Sequence, residues 1–364
     1  MNAAADPKPD EELRFLRASV ANRCNLNCVY CPKASGMENF VPTQHRNHRL
    51  TAEQYCRNLE HIAATGAIKG ISFTGGEPTL NADLPTIVAH ARTLFDRVEM
   101  TTNGKFLQRR IDQLAPHLDV LKVSMDAVDP ALAHDIVRGR GDDHGVAARA
   151  ITMALDAGIT VGINVVAMRR NANQIDGILA LARKLGAGRS GRLYVSILDL
   201  YYTDETHDLW VDEFMPLGDL ERELRGRSGG GDHQDRKGCD IGWFDVDDMQ
   251  VRVKNSHSST YRGARCEKCP VYCQEGLYGL KHSVEGWVTP CPTGQETFGV
   301  HLEPDLDQDE AMARLRPLVD ELLGTYRVED SFAQFLDRRG LSPQARKTLP
   351  LIGIGIGTNQ AAGV

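Results

Sequence analysis

The feature that most limits the possible folds of this chain is a repeated alternation of short apolar runs and helix-like segments between residues 13 and 198. The apolar runs are rich in Val, Ile and Leu, as is typical of parallel strands that are buried on both faces. The predicted strands are Arg14–Val20, Gly70–Thr74, Arg97–Thr101, Val120–Ser124, Thr160–Val166 and Leu193–Leu198.

The segments between these runs carry signals of helix boundaries. Thr51 and Gln54 form the pattern of an N-cap with a capping box. Gly158 and Gly186 stand where glycine C-terminal caps are expected. Apolar residues recur at three- and four-residue spacing, which predicts amphipathic helices. The predicted helices are Thr51–Thr65, Leu84–Leu94, Val146–Ala157 and Asn173–Leu185.

Six such βα units predict an α/β fold with a parallel sheet and right-handed crossovers. We expect a partial (β/α)6 barrel of the TIM type, with a doubly wound sheet as the alternative that periodicity leaves open. In both folds the functional loops follow the carboxyl ends of the strands. The predicted organisation is a barrel core over residues 1–200 and a C-terminal extension over residues 201–364.

The extension has less regular patterning than the barrel core. Residues 225–237 contain SGGGDHQDRK and predict a flexible loop, and residues 239–300 predict an irregular stretch that holds five cysteines. A helix is predicted over Asp309–Leu323, followed by a tail, GIGIGTNQAAGV, of low ordering tendency.

Composition narrows the class of protein. The 364-residue chain has a net charge of −7, which argues mildly against a nucleic-acid binder. It has no signal-peptide pattern and no long apolar run, so we expect a cytoplasmic protein without a membrane partner. Nine cysteines in a reducing compartment do not suggest a disulfide framework. Seven of them fall in two groups, as metal or Fe–S ligands do.

The first group is Cys24, Cys28 and Cys31, on the loop after the first predicted strand. Three thiolates bind three irons of a [4Fe–4S] cluster and leave the fourth iron open, as a reactive cluster requires. The alternative is a structural zinc site in which His45 or His48 supplies the fourth ligand.

Two motifs extend this interpretation. Tyr30 precedes the last cysteine of the group, and Thr74-Gly75-Gly76-Glu77-Pro78 follows the second strand. Together these motifs resemble the radical S-adenosylmethionine (SAM) superfamily. The resemblance covers about residues 13–200 and is closest to the branch of the molybdenum-cofactor GTP cyclase. It is carried by LRASVANRCNLNCVYC, TTNGKFL, LKVSMDAVDP, VRGRG and VGINVVAMRRNANQI.

The resemblance implies that SAM binds the open iron and that the reduced cluster cleaves it to a 5′-deoxyadenosyl radical, which abstracts hydrogen from the substrate. It also implies an external electron donor such as flavodoxin or ferredoxin. No catalytic side chain is predicted. The cofactor-binding residues implied by carry-over are Tyr30, Gly75, Gly76, Glu77, Thr102, Asn103, Ser124, Arg138 and Asn164.

The second group has the spacing C-x2-C-x3-C-x17-C and comprises Cys266, Cys269, Cys273 and Cys291. Four cysteines suffice for a zinc ion or an Fe–S cluster. GLKHSVEGWVTPC resembles the cyclase segment that ends in its last auxiliary-cluster cysteine, which implies a C-terminal auxiliary [4Fe–4S] region and two clusters in all. Cys273 is an extra cysteine relative to the cyclase, so three- and four-cysteine ligation both stay open.

Departures from the cyclase bear on the substrate. Gly279, Lys281 and Ser72 stand where the cyclase has arginines, so GTP is not the expected substrate. Basic residues that persist predict an anionic nucleotide or sugar, since guanidinium groups bind phosphate and carboxylate well. Solvated surface charge is the alternative for each of them. The predicted substrate-binding residues are Arg17, Lys69, Arg262, Arg265 and Lys281.

The sequence therefore predicts a radical SAM enzyme that acts on a small-molecule nucleotide, nucleoside or sugar. Specialised-metabolite or antibiotic biosynthesis is the expected context, with sulfur insertion among the candidate reactions. The alternatives are a cyclase-like enzyme of cofactor biosynthesis and a peptide-modifying maturase. A non-enzymatic Fe–S electron carrier or sensor is the least favoured interpretation, because a carrier has no use for a SAM site.

Overall fold

The computed structural model describes residues 14–31, 49–139, 143–189, 191–229, 233–236, 239–269, 273–291, 299–329 and 331–341. The alternative zinc donors His45 and His48 lie outside the described residues, as does the C-terminal tail. No helix in these ranges is long and apolar enough to cross a bilayer.

The strands and helices of the described part of the chain have the following bounds. The strands are β1 (Phe15–Ser19), β2 (Gly70–Thr74), β3 (Arg97–Thr102), β4 (Val120–Ser124), β5 (Thr160–Ala167), β6 (Leu193–Asp199), β7 (His233–Arg236), β8 (Cys239–Val246), β9 (Met249–Arg262), β10 (Gly279–His282), β11 (Trp287–Thr289), β12 (Val300–His301) and β13 (Tyr326–Glu329). The helices are α1 (Ala52–Ala64), α2 (Leu84–Leu94), α3 (Ile111–Leu114), α4 (Pro130–Val137), α5 (Asp143–Asp156), α6 (Ile175–Gly186), α7 (His207–Glu213), α8 (Gly218–Arg227), α9 (Gln308–Leu323) and α10 (Ser331–Arg338).

The central sheet confirms the α/β prediction. Strands β1 to β6 are parallel and lie side by side in sequence order. This consecutive order is that of a barrel, whereas a doubly wound sheet reverses its strand order part-way. Each of the six predicted strands is found within one residue of its predicted bounds.

Strands from beyond residue 200 extend both edges of this sheet. β9 pairs parallel with β6, and β8 and β7 follow it, while β10 pairs parallel with β1. The domain boundary predicted at residue 200 falls between strands of one sheet and stays a prediction. The irregular stretch predicted for 239–300 is wrong where β8 to β11 form. The flexible loop predicted for 225–237 is likewise wrong at the end of α8 and in β7.

The missed strand β9 has a simple physical explanation. Val251 and Val253 are fully buried, and Arg252 and Lys254 alternate with them on the other face. A period of two marks a strand with unlike faces, but the charges hide it from a search for continuous apolar runs.

The helix caps are partly as predicted. Thr51 accepts a hydrogen bond from the Gln54 backbone N at 3.3 Å, and the Gln54 side chain accepts from the Thr51 backbone N at 2.9 Å. Gly158 has a φ of +82° as a C-cap glycine should. Gly186 instead is the last residue of α6, and the left-handed glycine is Gly188.

The strands present an apolar face to the helices and a polar face to the barrel interior. Leu16, Ile71 and Leu121 are fully buried in the core with the helices. Arg17, Ser72 and other polar residues alternate with them, so their side chains face the opposite side of the sheet. The barrel interior is therefore lined by polar groups that a substrate could meet.

Candidate active site

The first cysteine group lies on the loop that follows β1, at the carboxyl edge of the parallel strands. Asn27 and Val29 donate backbone hydrogen bonds to the carbonyls of Val137 and Ile136 at the end of α4, at 3.1 and 2.9 Å. The Tyr30 hydroxyl donates to the Asp126 carboxylate at 2.8 Å. These bonds fix the loop against β4 and α4, and they make Tyr30 an anchor of the loop.

The three thiols suit the predicted cluster. Burial raises the pKa of Cys28, and Asp126, Cys31 and Cys24 raise it further, so the three cysteines are close enough to influence one another. None of the three is in a disulfide. In the described ranges no three or more His, Cys, Asp and Glu side chains converge on a single-ion site. Three thiols on one loop are the donor set that a [4Fe–4S] cluster with one open iron would use, and the zinc donors proposed as the alternative lie outside the described residues.

The glycine turn after β2 packs directly on this loop. The Gly76 backbone N donates to the Ala21 carbonyl at 2.6 Å, and Glu77 N donates to the Arg23 carbonyl at 2.9 Å. A Cβ atom on Gly76 would lie 2.2 Å from the Arg23 oxygen and 2.9 Å from the Cys24 nitrogen. The glycines thus permit the close approach of the cysteine loop, and room for SAM is a separate prediction.

Glu77 is the centre of a buried hydrogen-bond network. It is 1% exposed, and its Oε1 accepts from the Thr79 backbone N at 3.1 Å and the Thr102 hydroxyl at 2.6 Å. Its Oε2 accepts from the Asn103 backbone N at 2.8 Å. The Asn103 side chain in turn donates to Asn25 at 2.8 Å and lies 3.8 Å from the Cys24 sulfur. The network joins the ends of β2 and β3 to the cysteine loop.

We expect Glu77→Gln to weaken SAM binding about tenfold, since about 1.4 kcal/mol corresponds to a factor of ten. With the amide oxygen facing Thr102, the amide NH₂ faces the Asn103 N–H, and two donors then oppose each other at a cost of about 1–3 kcal/mol. Anaerobic titration calorimetry with SAM measures the change. Glu60→Gln, which alters a half-exposed carboxylate on α1, is the control. Equal SAM affinity in the two variants would contradict the role of the network.

Three further predicted residues lie at the same edge. Ser124 and Asn164 are register partners at the ends of β4 and β5, and Met125 N donates to the Asn164 carbonyl at 2.9 Å. The Asn164 Oδ1 is buried without a hydrogen-bond partner among the described residues, so it is a candidate acceptor for a ligand. Arg138 ends α4 in the left-handed region at φ +47°, next to the carbonyl that holds Asn27. A non-glycine residue in that conformation is often found at a functional site.

The second cysteine group is assembled from separate elements. Cys266 lies in a 3₁₀ turn after β9, and Cys269 directly follows that turn. Cys273 is 6% exposed, and Cys291 follows β11. Burial raises the pKa of Cys266 to about 11, and Cys273 and Cys291 contribute to the shift. In the described ranges no three of these thiols converge closely enough to hold a single metal ion. The Cys239 side chain, a spare candidate, lies outside the description.

A group of charged side chains comes together from β1, β9 and β10 and from the segment before β10. Glu275 accepts from the Tyr278 hydroxyl at 2.7 Å and lies 3.3 Å from Lys254 Nζ and 3.8 Å from Arg17 Nη1. The ammonium groups of Lys254 and Lys281 each lie 5.1 Å from the centre of the Tyr278 ring. Burial alone would raise the pKa of Glu275, but Lys254, Lys281 and Arg17 together hold it well below its usual range.

The structure brings only two of the five predicted substrate residues into this group, Arg17 and Lys281. Lys69 precedes β2, so a strand of about 17 Å separates it from the carboxyl edge, and it is exposed. Arg262 is 2% exposed and directs its guanidinium at Cys273. Arg265 is exposed on the 3₁₀ turn. These three do not face the interior with the others.

Sequence reasoning missed several residues that hold the site together. Asp126 anchors Tyr30 and could have been found as the first carboxylate after β4. Glu275 and Tyr278 organise the cations, but they lie in an irregular segment between cysteines where no periodicity points to them. Asn25 was missed because its partner, Asn103, is distant in the sequence.

Residues 18–182 match the sequence profile of the Radical SAM superfamily. These residues are a radical SAM domain. The GTP 3',8-cyclase of Caulobacter vibrioides is 34% identical over 217 residues, 58% of this chain and 58% of that protein. Molybdenum cofactor biosynthesis protein 1 of Drosophila melanogaster is 36% identical over 158 residues, 43% of this chain and 27% of that protein. The chain therefore matches less than two thirds of the length of either relative.

A solved structure is also similar in its fold. Streptococcus suis SuiB bound to precursor peptide SuiA superposes with a TM-score of 0.57, over 84% of this chain and 65% of that chain, at 14% identity. At that identity the similarity concerns the fold alone, and it agrees with the partial barrel. The domain match and the named relatives therefore concern mainly the first half of the chain.

Proposed function

We propose that this protein binds a [4Fe–4S] cluster at Cys24, Cys28 and Cys31 together with SAM, and that it abstracts hydrogen from an anionic small molecule. When bound, the cluster and SAM supply a 5′-deoxyadenosyl radical by reductive cleavage. The observation that carries the proposal is the hydrogen-bond network from Glu77 through Asn103 to the cysteine loop. It places the glycine turn and the loop in one rigid unit at the carboxyl edge.

The proposal includes a second [4Fe–4S] cluster, held by Cys266, Cys269, Cys273 and Cys291. The C-x2-C-x3-C-x17-C spacing of these cysteines supports it. It also includes an external electron donor of the flavodoxin or ferredoxin type, and the cytoplasmic location predicted from the sequence.

The substrate that suits the interior is a nucleoside, a nucleotide or a sugar with few negative charges. Arg17, Lys254 and Lys281 share one buried carboxylate, Glu275, which offsets part of their charge. A Cβ atom on Gly279 would lie 2.1 Å from the Phe15 carbonyl oxygen, so this position has no room for an arginine. These features favour a substrate with fewer negative charges than a triphosphate. The proposal keeps specialised metabolism as the context expected from the sequence, with sulfur insertion among its reactions.

The relatives named GTP 3',8-cyclase make GTP the second candidate substrate. The two candidates are separated by anaerobic incubation of reconstituted protein with SAM and dithionite. We expect 5′-deoxyadenosine without added substrate and a higher rate with a nucleoside or nucleoside monophosphate. A higher rate with GTP and none with the others would favour the cyclase reaction. No 5′-deoxyadenosine under any condition would contradict the proposed function.

We expect Glu275→Gln to lower the free energy of unfolding by about 3 kcal/mol, because it leaves buried cations uncompensated. The value is at the low end of the range for buried pairs, since the Arg17 side chain is 40% exposed. Urea unfolding under anaerobic conditions, followed by circular dichroism, measures it. Glu53→Gln, at a side chain that is 85% exposed, should stay within about 0.5 kcal/mol of wild type. Equal stability of the two variants would contradict this account of the interior.

A further inference from the structure

Arg262 makes an unusual pair of contacts at the end of β9. Its Nη1 donates to the Cys273 sulfur at 2.9 Å, and its Nη2 donates to the Cys273 carbonyl at 2.6 Å. Arg262 is 2% exposed and Cys273 is 6% exposed. One buried guanidinium group therefore donates hydrogen bonds to both the side chain and the backbone of the same cysteine.

The surrounding backbone makes this grip rigid. Arg262 pairs with Tyr326 of β13, and the neighbouring Tyr261 carbonyl accepts from the Leu277 backbone N at 2.8 Å. The segment that follows Cys273 in the chain is thus also hydrogen-bonded to β9. With its sulfur and its carbonyl both held, the Cys273 side chain is kept in one direction.

Burying a guanidinium group costs free energy unless an anionic group pairs with it. A thiolate that ligates iron is such a group, because N–H donors to the sulfurs of an Fe–S cluster stabilise the added electron of the reduced state and raise its potential. Cys273 is four residues after Cys269 in the same cysteine segment, so the sulfur that Arg262 contacts is one of the four candidate ligands.

We propose that Arg262 is a positioning residue that directs Cys273 as the fourth thiolate ligand of the second cluster and raises the reduction potential of that cluster. The inference rests on the second cluster of the proposed function. It removes Arg262 from the substrate residues and assigns four-cysteine ligation to this site. No iron of the second cluster is then left open for substrate while Cys273 is bound.

The test compares Arg262→Gln and Arg262→Lys with wild type in anaerobically reconstituted protein. Iron per chain and a redox titration followed by electron paramagnetic resonance are the measurements. We expect Arg262→Gln either to lose the second cluster or to shift one of two midpoint potentials to a more negative value. Arg262→Lys keeps the positive charge but not the paired N–H donors of the guanidinium group, so its midpoint potential should shift less than that of Arg262→Gln.

Arg327→Gln is the matched control, since Arg327 lies on the adjacent strand β13 and donates to the Ser259 hydroxyl instead of a sulfur. It should leave both potentials unchanged. Wild-type iron content and both potentials retained in Arg262→Gln would overturn the inference. Wild-type protein with only about four irons would instead contradict the second cluster itself.

A measurement on wild-type protein covers the case in which Arg262→Gln does not fold. Protein labelled with ¹⁵N in the arginine guanidinium groups is reduced and studied by pulsed electron paramagnetic resonance. We expect a weak ¹⁵N hyperfine coupling at one of the two clusters. The absence of any arginine ¹⁵N coupling at either reduced cluster would overturn the inference.

Discussion

Replacing Cys24, Cys28 and Cys31 together with Ala should abolish the formation of 5′-deoxyadenosine and remove about half of the bound iron. The three thiols lie on one anchored loop, and no other cysteine of the described residues is part of that loop. Without them SAM has no cluster to receive an electron from. The second group is built from other elements, so its cluster should remain.

Cys56→Ala is the matched control for this experiment. Cys56 is a half-buried cysteine on α1 that packs against the hydrophobic core. Its removal should leave the iron content and the rate of 5′-deoxyadenosine formation at wild-type values. If the triple variant still cleaved SAM, or if it kept all of its iron, the cluster would have to be assigned elsewhere.

The parallel strands could be predicted from the sequence because each lies in a distinct apolar run. Gly70–Thr74 and Val120–Ser124 are found with the predicted bounds. Their apolar residues pack against the helices of the same βα units, so local pattern and tertiary burial agree. β9 was missed because its polar face lines the barrel interior, where Arg252 and Lys254 interrupt the apolar run.

The candidate ligands of the site could be predicted from the sequence, whereas most residues that hold these ligands in place could not. The cysteine spacing and the glycine turn are local patterns, so each can be recognised in a few consecutive residues. The partners of those motifs are distant in the sequence: Asp126 for Tyr30, Asn103 for Glu77, and Glu275 for Arg17. A single sequence contains no signal for such pairs, because each depends on how the strands are placed side by side.

The contact partner of Arg262 also could not be predicted from the sequence. A basic residue before a cysteine group suggests an anionic substrate, and the sequence alone offers no reason to prefer a sulfur as its partner. The choice is made by burial, because the fold closes β9, β13 and the Cys273 segment around the guanidinium group. Charge in a sequence therefore predicts interaction with an anion but not which anion.

Gly76→Ala should lower the rate of 5′-deoxyadenosine formation about hundredfold, the effect of a displacement of about 1 Å at a reacting centre. Gly76 does not have a left-handed φ, so a side chain is excluded there by space alone. The added Cβ would meet the Arg23 carbonyl carbon at 2.4 Å, and a backbone group cannot move aside as a flexible side chain can. The collision displaces the cysteine loop, so part of the first cluster should be lost as well.

The matched control is Gly218→Ala, because no atom lies within 4 Å of the Cβ position at Gly218. That substitution at the start of α8 should leave both iron content and rate unchanged, and it gains helix propensity. Iron analysis and the rate of 5′-deoxyadenosine formation are measured for both variants in parallel. If Gly76→Ala kept the wild-type iron and rate, the glycine turn would not be the support on which the cysteine loop rests. A lower rate with full iron content would place the effect of Gly76 on SAM itself, as the sequence alone suggested.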